Sequence, residues 1–393
     1  MIDINKIRSE TAGCRDKIFF NSAGSSLVSD QVYSAATDYL AEERIIGGYE
    51  AAAKYHSQLQ SFYTESARLL GCAPANVAYV NSATDGYGKV LSSIAWADGD
   101  LILTTAVDYV SNYLQFMSLQ KRYGVRMMTI PTLPSGDLDI SAAESIMDHN
   151  AVTLVAVTHI PTNSGLVQDV AAIGQLISSR GISYLVDGCQ AVGQLYVNVT
   201  DIKCDYYVTS GRKFMRGPRG TGLLYVSDRV LASDSGPMTH DAMGSTWTTA
   251  TTYRVNPDAT RYELFEHSMA NRIGFVKAIQ QINEVGIQNI ESYTTKLAAR
   301  LREGLSELDC RVLDHGSKLC GIVTFVVNDY DTDQLSHDLQ EQKVSHSVAR
   351  LASAMIDFEQ KGVTAAIRLS PHYFNTEEEV AKVLTILSTL TSR

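Results

Sequence analysis

Val152-Thr-Leu-Val-Ala-Val-Thr-His159 and Ile182-Ser-Tyr-Leu-Val-Asp187 are short apolar runs separated by a helix-like stretch, Val170–Ser179. Both runs lack the polar alternation of a half-exposed strand, so they predict strands buried on both faces. The same rhythm extends in both directions along the chain. Further strand candidates are Leu101–Thr105, Val125–Ile130, Tyr206–Thr209 and Thr221–Val226, and a further helix candidate is Val110–Tyr123. This order predicts an α/β fold with a mostly parallel sheet between helices.

The pattern changes near residue 255. Before the sheet, Asp30–Glu43 and Ala51–Leu70 predict two helices, and after it Ser268–Leu308 predicts a long helical run broken at a glycine. Strand and helix candidates then alternate at Cys310–Leu313, Gly321–Val327, Asp333–Gln342, Ala365–Leu369 and Thr376–Thr391. We expect a large domain over residues 16–255 and a small C-terminal α+β domain over residues 256–393, with residues 1–15 packing on the small domain.

The composition excludes several classes of protein. The 393 residues include 33 Lys+Arg and 43 Asp+Glu, a formal net charge of −10 that does not suit binding to nucleic acid or to an anionic membrane. No run approaches the roughly 18 apolar residues of a membrane helix, and the start has no apolar signal-peptide core. Six scattered cysteines without a C-x-x-C motif predict reduced thiols and no metal site. We therefore expect a cytoplasmic protein that binds a small molecule.

Polar residues follow the predicted strands, where ligands bind in this class of fold. Asp187 lies at the end of an apolar strand. It is either a helix cap or a carboxylate that holds a ligand cation. In Ser210-Gly-Arg-Lys213 a lysine follows a buried strand and precedes Phe214. Most lysines are solvated at the surface, but a desolvated lysine has a lowered pKa and can form an imine. Ser210 and Arg212 can bind a phosphate.

Three further segments carry candidate ligands. Asn81–Gly88 precedes the apolar helical stretch Lys89–Trp96, so its backbone amides can bind an anion or only form a helix cap. Asn163, in the turn after a strand, can bind a cofactor oxygen or only shape the turn. Arg368 lies inside an apolar strand, where it needs an ion-pair partner or a substrate carboxylate. A lysine for an imine, an aspartate for a pyridinium nitrogen, phosphate donors and a carboxylate-binding arginine together describe pyridoxal 5′-phosphate (PLP) with an amino acid.

The chain resembles the class V aminotransferase family of fold-type I PLP enzymes, which includes cysteine desulfurases, C–S lyases and isopenicillin N epimerase. The resemblance extends from Phe20–Gly24 to Arg368–Glu379 and is sharpest at Asp187-Gly-Cys-Gln190 and Ser210-Gly-Arg-Lys213. It implies a large domain with a mostly parallel seven-stranded sheet between helices, a small C-terminal α+β domain, and a homodimer with active sites at the interface. Gly244–Trp247 or Arg261–Ser268 would then reach into the neighbouring subunit.

The resemblance also implies roles for single residues. Lys213 would form the imine with the cofactor and transfer the α-proton, while Asp187 would pair with the pyridine nitrogen. Arg368 would bind the substrate α-carboxylate. The family usually stacks a histidine on the ring, and this chain has Tyr109 in that stretch, an aromatic face suited to the same contact. The remaining candidates are Gln190 and Asn163, near the 3-oxygen of the ring or the substrate carboxylate, and Ala83, Thr84, Ser210 and Arg212 at the phosphate.

The reaction is less closely defined. Desulfurases carry a mobile cysteine shortly before the carboxylate-binding arginine, whereas residues 344–355 here contain none, which argues against a persulfide-forming desulfurase. In that stretch His346 and Arg350 can face the substrate or lie in a solvated loop. Arg44–Ala52 is similar to hercynylcysteine sulfoxide lyases, and Arg261–Glu266 to isopenicillin N epimerase-like chains. The leading hypothesis is a β-eliminating C–S lyase on a cysteine-derived substrate, the alternative an aminotransferase or epimerase. A non-catalytic relative is the third hypothesis, against which the intact Lys213 and Asp187 count.

Overall fold

The computed structural model describes residues 2–391. The α-helices are α1 (Ile4–Ser9), α2 (Ser22–Ser25), α3 (Asp30–Ile46), α4 (Gly48–Lys54), α5 (His56–Leu70), α6 (Ala83–Ser92), α7 (Val110–Tyr123), α8 (Ile140–His149), α9 (Val170–Ile177), α10 (Val199–Ile202), α11 (Asp228–Leu231), α12 (Met269–Val285), α13 (Ile287–Ser306), α14 (Thr332–Glu341), α15 (Met355–Lys361) and α16 (Glu377–Thr391). The strands are β1 (Ile18–Phe19), β2 (Val77–Val80), β3 (Leu101–Thr105), β4 (Arg126–Ile130), β5 (Val152–Thr158), β6 (Ser183–Asp187), β7 (Tyr206–Ser210), β8 (Gly222–Val226), β9 (Ser245–Thr249), β10 (Thr252–Val255), β11 (Cys310–Val312), β12 (Val323–Val327), β13 (Val344–Ser345), β14 (Ser347–Arg350) and β15 (Ala365–Leu369).

A seven-stranded sheet in the order β2-β8-β7-β6-β5-β3-β4 forms the centre of the molecule. The strands from β4 to β7 run parallel, and β8 lies antiparallel to both β7 and β2. Every residue of β3 and β8 is buried, because helices cover both faces of the sheet. The predicted α/β architecture, including the seven-stranded sheet, is confirmed.

Six of these strands lie where the apolar runs predict them, and β2 was missed. Its four residues, Val77–Val80, follow a 3-10 turn at Pro74–Asn76. Two predicted helices are divided in the structure. The stretch Ala51–Leu70 is interrupted at Tyr55, and the long run Ser268–Leu308 is interrupted at Gly286, whose φ of 85° suits a residue without a Cβ.

A second, antiparallel sheet lies near the C-terminus in the order β11-β12-β15-β14. The N-terminal segment is joined to this part of the chain, since β1 pairs in parallel with β13 and Arg8 forms an ion pair of 2.9 Å with Glu379. The N-terminal residues also contact the large domain, since the backbone N–H of Asp30 donates to the carbonyl of Glu10 and Arg216 donates to Thr11. The division into domains, including the packing of residues 1–15 on the small one, stays a prediction. Within residues 2–391, none of the helices combines the length and the apolar character that crossing a membrane would require.

The parallel order brings the carboxyl ends of β5, β6 and β7 to one edge of the sheet. In the register of the sheet, Asp187 lies opposite Thr158 on β5 and Val208 on β7. The segments that follow these strands therefore meet, and they carry the candidate residues of the sequence analysis.

Candidate active site

Lys213 and Asp187 follow adjacent strands and are both buried, with 6% and 3% of their surfaces exposed. The lysine lies three residues beyond the end of β7, and the aspartate is the last residue of β6. Burial lowers the pKa of the Lys213 ammonium, and the nearby Cys189 and Asp187 oppose that shift. Among the described residues the Lys213 amine has no hydrogen bond or ion pair. The structure thus presents a desolvated amine with no protein partner beside a buried carboxylate.

Both oxygens of Asp187 are held by donors. Oδ1 accepts a hydrogen bond from the backbone N–H of Cys189 at 2.9 Å, and Oδ2 accepts one from the Asn112 amide at 3.1 Å. The carboxylate is therefore fixed in orientation before any ligand binds, which is how a preorganised site holds a cation.

Tyr109 lies on the lysine side of the site. Lys213 Nζ is 5.8 Å from the centroid of the Tyr109 ring, and this residue is the N-cap of α7. The residue is partly exposed, and an aromatic ring is suited to stack on a flat ligand. The structure therefore brings the proposed stacking residue to the proposed imine-forming lysine.

Three of the four predicted phosphate ligands lie at the start of α6, namely Ala83, Thr84 and Ser210. The fourth is Arg212, whose side chain contacts Gly24. The backbone N–H of Ala83 donates to the Ser210 hydroxyl at 3.1 Å, and Thr84 is exposed at the next helical position. Amides in the first turn of a helix attract an anion. Arg212 is half-buried, and one nitrogen of its guanidinium donates to the carbonyl of Gly24. Its side chain is thus anchored to the N-terminal segment.

Arg368 is a buried cation that has no carboxylate partner among residues 2–391. It lies on β15, donates from Nη1 to the carbonyl of Thr162 at 2.8 Å, and leaves Nε without a partner. Burial, with the neighbouring Arg212, lowers its pKa to about 10. An arginine in this state favours an incoming carboxylate, which would restore the missing counter-charge.

Gln190 and Asn163 are buried at the same edge of the sheet. The Gln190 amide donates to the carbonyl of Ala23 at 3.1 Å, and its own oxygen Oε1 has no partner. The Asn163 amide donates to both the carbonyl and the hydroxyl of Ser353, each at 3.3 Å. The structure thus connects Asn163 to the 3-10 turn Leu351–Ser353.

Two side chains of the site were not singled out from the sequence. Asn112 is buried and donates to both Asp187 and Asp108. Asp108 is also buried, and burial raises its pKa to about 6. Both lie in the stretch that supplied Tyr109, and their i, i+4 spacing at the start of a helix was the available signal.

His346 and Arg350, which the sequence left open, both contact α14. His346 Nε2 lies 2.8 Å from the Ser336 hydroxyl, while the exposed Arg350 pairs with Asp333. The surface interpretation therefore suits the exposed Arg350, whereas His346 is half-buried, with its other ring nitrogen 2.9 Å from the carbonyl of Val344.

The residues present fit PLP. The basic side chains of the site lie close together, since Arg212 and Arg368 both contribute to the lowered pKa of Lys213. This concentration of positive charge suits a ligand with a phosphate and a carboxylate. The unpartnered Gln190 Oε1 and Arg368 Nε are buried polar atoms that a polar ligand can satisfy. The donor set thus matches an anionic, aromatic aldehyde together with an amino acid.

Comparisons with known proteins agree with this arrangement. A model of the aminotransferase class-V family matches residues 18–383. A probable cysteine desulfurase of Methanothermobacter thermautotrophicus is 26% identical over 390 residues, which are 95% of this chain and 94% of the relative. The apo structure of a cysteine desulfurase from Thermococcus onnurineus has a TM-score of 0.91 at 23% identity and covers 100% of this chain and 99% of that one. The complex of the cystine C–S lyase C-DES with its reaction product cysteine persulfide has a TM-score of 0.86 at 21% identity and covers 96% and 99% of the two chains. At such identities these two likenesses establish the fold alone.

Proposed function

Because this chain belongs to the aminotransferase class-V family of PLP enzymes, we propose that it is a lyase that cleaves the C–S bond of a cysteine-derived amino acid. The observation that carries the proposal is the pairing of a desolvated, unpartnered Lys213 with a buried Arg368 that has no acidic partner in residues 2–391. The first suits an aldehyde cofactor and the second an amino-acid carboxylate. The fold is that of fold-type I PLP enzymes.

Each end of the cofactor has protein groups to hold it. Lys213 would bind the aldehyde carbon, Asp187 would face the ring nitrogen, and Tyr109 would stack on the ring. The start of α6 would receive the phosphate. Its ligands there would be Ala83, Thr84, Ser210 and Arg212, while Gln190 and Asn163 would lie near the 3-oxygen or the substrate carboxylate.

The proton and charge chemistry follows from the same residues. When bound, PLP supplies an aldehyde for the substrate amine and a ring that accepts the electron pair left at Cα. Burial lowers the pKa of the Lys213 amine, so a larger fraction is neutral and able to remove the Cα proton. Arg368 holds the carboxylate so that the Cα–H bond keeps one orientation. Asp187 stabilises a proton on the ring nitrogen.

The sulfur would leave with its own substituent. No cysteine follows Cys320, and the cysteine at the site, Cys189, is buried with its pKa raised by burial to about 12, so its thiolate is scarce. The substrate R–S–CH2–CH(NH3+)–COO− and one water would therefore give R–SH, pyruvate and ammonium. In this reaction the Cα–H and C–S bonds break and the released thiolate takes up a proton. Water then replaces nitrogen at the α-carbon, so the C–N bond breaks to give pyruvate and ammonium, and no oxidant is needed. The names of the desulfurase and C–S lyase relatives support a sulfur-containing substrate.

The test uses holoenzyme with cystine and with S-substituted cysteines, and it measures pyruvate, ammonia and released thiol or persulfide. We expect the three products in equal amounts, loss of turnover in Lys213→Ala, and at least half the turnover in Cys189→Ala. Alanine formed with an enzyme persulfide would instead indicate a desulfurase. Pyridoxamine phosphate without pyruvate would indicate an aminotransferase, and inversion of the amino acid an epimerase. Any of these three outcomes would overturn the lyase proposal.

The narrower resemblance to hercynylcysteine sulfoxide lyases gains no support from the relatives reported above, so the substrate is proposed only as a class. A cysteine sulfoxide conjugate belongs in the same assay as one of the S-substituted substrates. A rate well above that of cystine would support the narrower assignment.

We also propose that the protein acts as a homodimer in the cytoplasm. The hairpin of β9 and β10 exposes Trp247 and Tyr253, which pair across its two strands with 79% and 58% of their surfaces exposed. Large exposed aromatic side chains on one hairpin are typical of a protein interface. Light scattering of the purified protein tests the dimer, and Trp247→Ser is expected to shift it toward monomer.

A further inference from the structure

Asp108 and Asp187 are two buried carboxylates joined by one side-chain amide. The Asn112 Nδ2 group donates at 2.9 Å to Asp108 Oδ1 and at 3.1 Å to Asp187 Oδ2. An amide nitrogen carries two hydrogens, so these two bonds use both of them. The orientation of the Asp187 carboxylate is therefore linked to the position of Asp108.

We propose that Asp108 is a positioning residue for the ring nitrogen of the cofactor: through Asn112 it holds the Asp187 carboxylate in place and adds a second negative charge behind it. This inference rests on the proposed place of Asp187 beside that nitrogen. Neither Asp108 nor Asn112 touches the reacting atoms in this proposal.

The hydrogen bonds of Asp108 favour its ionised form. Its oxygens accept from the Tyr109 backbone N–H at 2.6 Å, from the Thr104 hydroxyl at 2.8 Å, from Asn112, and from the Thr158 hydroxyl. Three of these bonds fall on Oδ1 and one on Oδ2, and each of them favours the ionised carboxylate over the protonated acid. Burial raises its pKa to about 6, which leaves it charged at neutral pH.

Other ionisable groups around Asp108 leave its charge uncompensated. Asp187 on β6, Tyr87 on α6 and Tyr113 on α7 face it, and none of these supplies a positive charge. Among the described residues Asp108 forms no ion pair. The negative charge of Asp108 therefore also attracts a cation that lies beyond Asp187, because a buried charge is weakly screened.

Asp108 also contacts the residue proposed to stack on the cofactor ring. Its Oδ1 accepts the backbone N–H of Tyr109, whose ring is the proposed stacking face. One side chain thus bonds the backbone of the proposed stacking residue and, through Asn112, contacts the carboxylate proposed to lie at the ring nitrogen.

The experiment measures the 15N chemical shift of the ring nitrogen in holoenzyme reconstituted with 15N-labelled PLP, between pH 6 and pH 9. We expect Asp108→Asn to lower by about one unit the pH at which this nitrogen loses its proton, because one nearby negative charge is removed. Asn112→Ala is expected to act in the same direction, and it decides the matter if Asp108→Asn does not fold. Asp205→Asn is the matched control, a buried carboxylate at the opposite end of β7 that binds Arg229.

The outcomes separate this inference from the proposed function. If Asp187→Asn changes the 15N titration while Asp108→Asn and Asn112→Ala leave it as in the wild type, Asp108 has only a structural role and the inference is wrong. If Asp187→Asn also leaves the 15N titration unchanged, the proposed place of Asp187 beside the ring nitrogen is wrong, and the inference about Asp108 fails with it. A shift in Asp205→Asn equal to that in Asp108→Asn would contradict the inference as well, because a general loss of stability would then explain both.

Discussion

The amine of Lys213 lies 5.8 Å from the centre of the Tyr109 ring, although the two residues are 104 positions apart (213 minus 109). The parallel sheet causes this proximity, because Tyr109 follows β3, Lys213 follows β7, and both strands end at the same edge. A planar cofactor bound to the amine would therefore lie beside an aromatic face.

Replacing Tyr109 by alanine is expected to weaken PLP binding about 2- to 10-fold, since an aromatic stack contributes about 0.5–1.5 kcal/mol. Tyr109→Phe keeps the ring and is the matched control, so it should bind PLP almost as tightly as the wild type. Titration of apoenzyme with PLP, followed by absorbance, measures both affinities. Equal losses in the two variants would show that the hydroxyl, and not the ring, makes the contact.

Replacing Arg368 by methionine is expected to raise KM for the amino-acid substrate by about 10- to 150-fold, because charge-assisted bonds to a carboxylate are worth roughly 1.5–3 kcal/mol. PLP affinity should change much less. Arg350→Met is the matched control, because this exposed arginine pairs with Asp333 at the surface. Steady-state kinetics give both values, and an unchanged KM in Arg368→Met would remove this residue from the substrate site.

Lys213 is expected to make the stability of the apoenzyme depend on pH. Burial lowers its pKa in the folded state. Between that lowered value and about pH 10.4 the unfolded chain binds more protons, so the free energy of unfolding rises with pH there. In the apo form of Lys213→Met, the rise of the free energy of unfolding with pH should be smaller by the part that Lys213 contributes. Urea unfolding at pH 7 and pH 9 tests it, with Lys121→Met, an exposed lysine, as the control. A slope in Lys213→Met equal to that of the wild type would contradict the desolvated amine.

His372 is expected to limit stability in acid. Burial lowers its pKa to about 3, while in the unfolded chain it is about 6.5, so the unfolded state gains a proton first as pH falls. Between these values one such histidine lowers the free energy of unfolding by up to about 1.4 kcal/mol per pH unit.

His372→Gln should therefore show a smaller difference in stability between pH 7 and pH 5 than the wild type, whatever its stability at pH 7. Urea unfolding at the two pH values measures this difference. His337→Gln, at an exposed position, should behave like the wild type. A difference in His372→Gln as large as that of the wild type would show that another group is responsible.

The sequence predicted the parts of the site that depend on local order. Asp187 and Lys213 each follow a strand of buried residues, and a parallel sheet brings such positions together without further information. It did not predict contacts that depend on which strands are neighbours. Asn112 reaches Asp187 only because β3 and β6 both lie beside β5, an order that periodicity does not report.

Side-chain directions were also beyond the sequence. Arg212 belongs to the motif, yet its guanidinium reaches the carbonyl of Gly24, which comes 188 positions earlier. The sequence left open whether His346 faces the substrate or lies in a solvated loop, and the structure places it against Ser336. Strand β2 was not predicted, since it lies before the alternation of strands and helices from which the sheet was predicted.

The link between the two ends of the chain has a consequence for the order of folding during synthesis. Strand β1 has no partner until residues 344–345 have been made, and Asn21 bridges to Ser370, later still. The carbonyls of Ala23 and Gly24, which accept hydrogen bonds from Gln190 and Arg212, lie in a segment that is synthesised more than 300 residues before β13. Translation must therefore be almost complete before the segment with Ala23 and Gly24 is held in place by β13 and Ser370. A nascent chain stalled before residue 344 should fold its central sheet without gaining the ability to retain PLP.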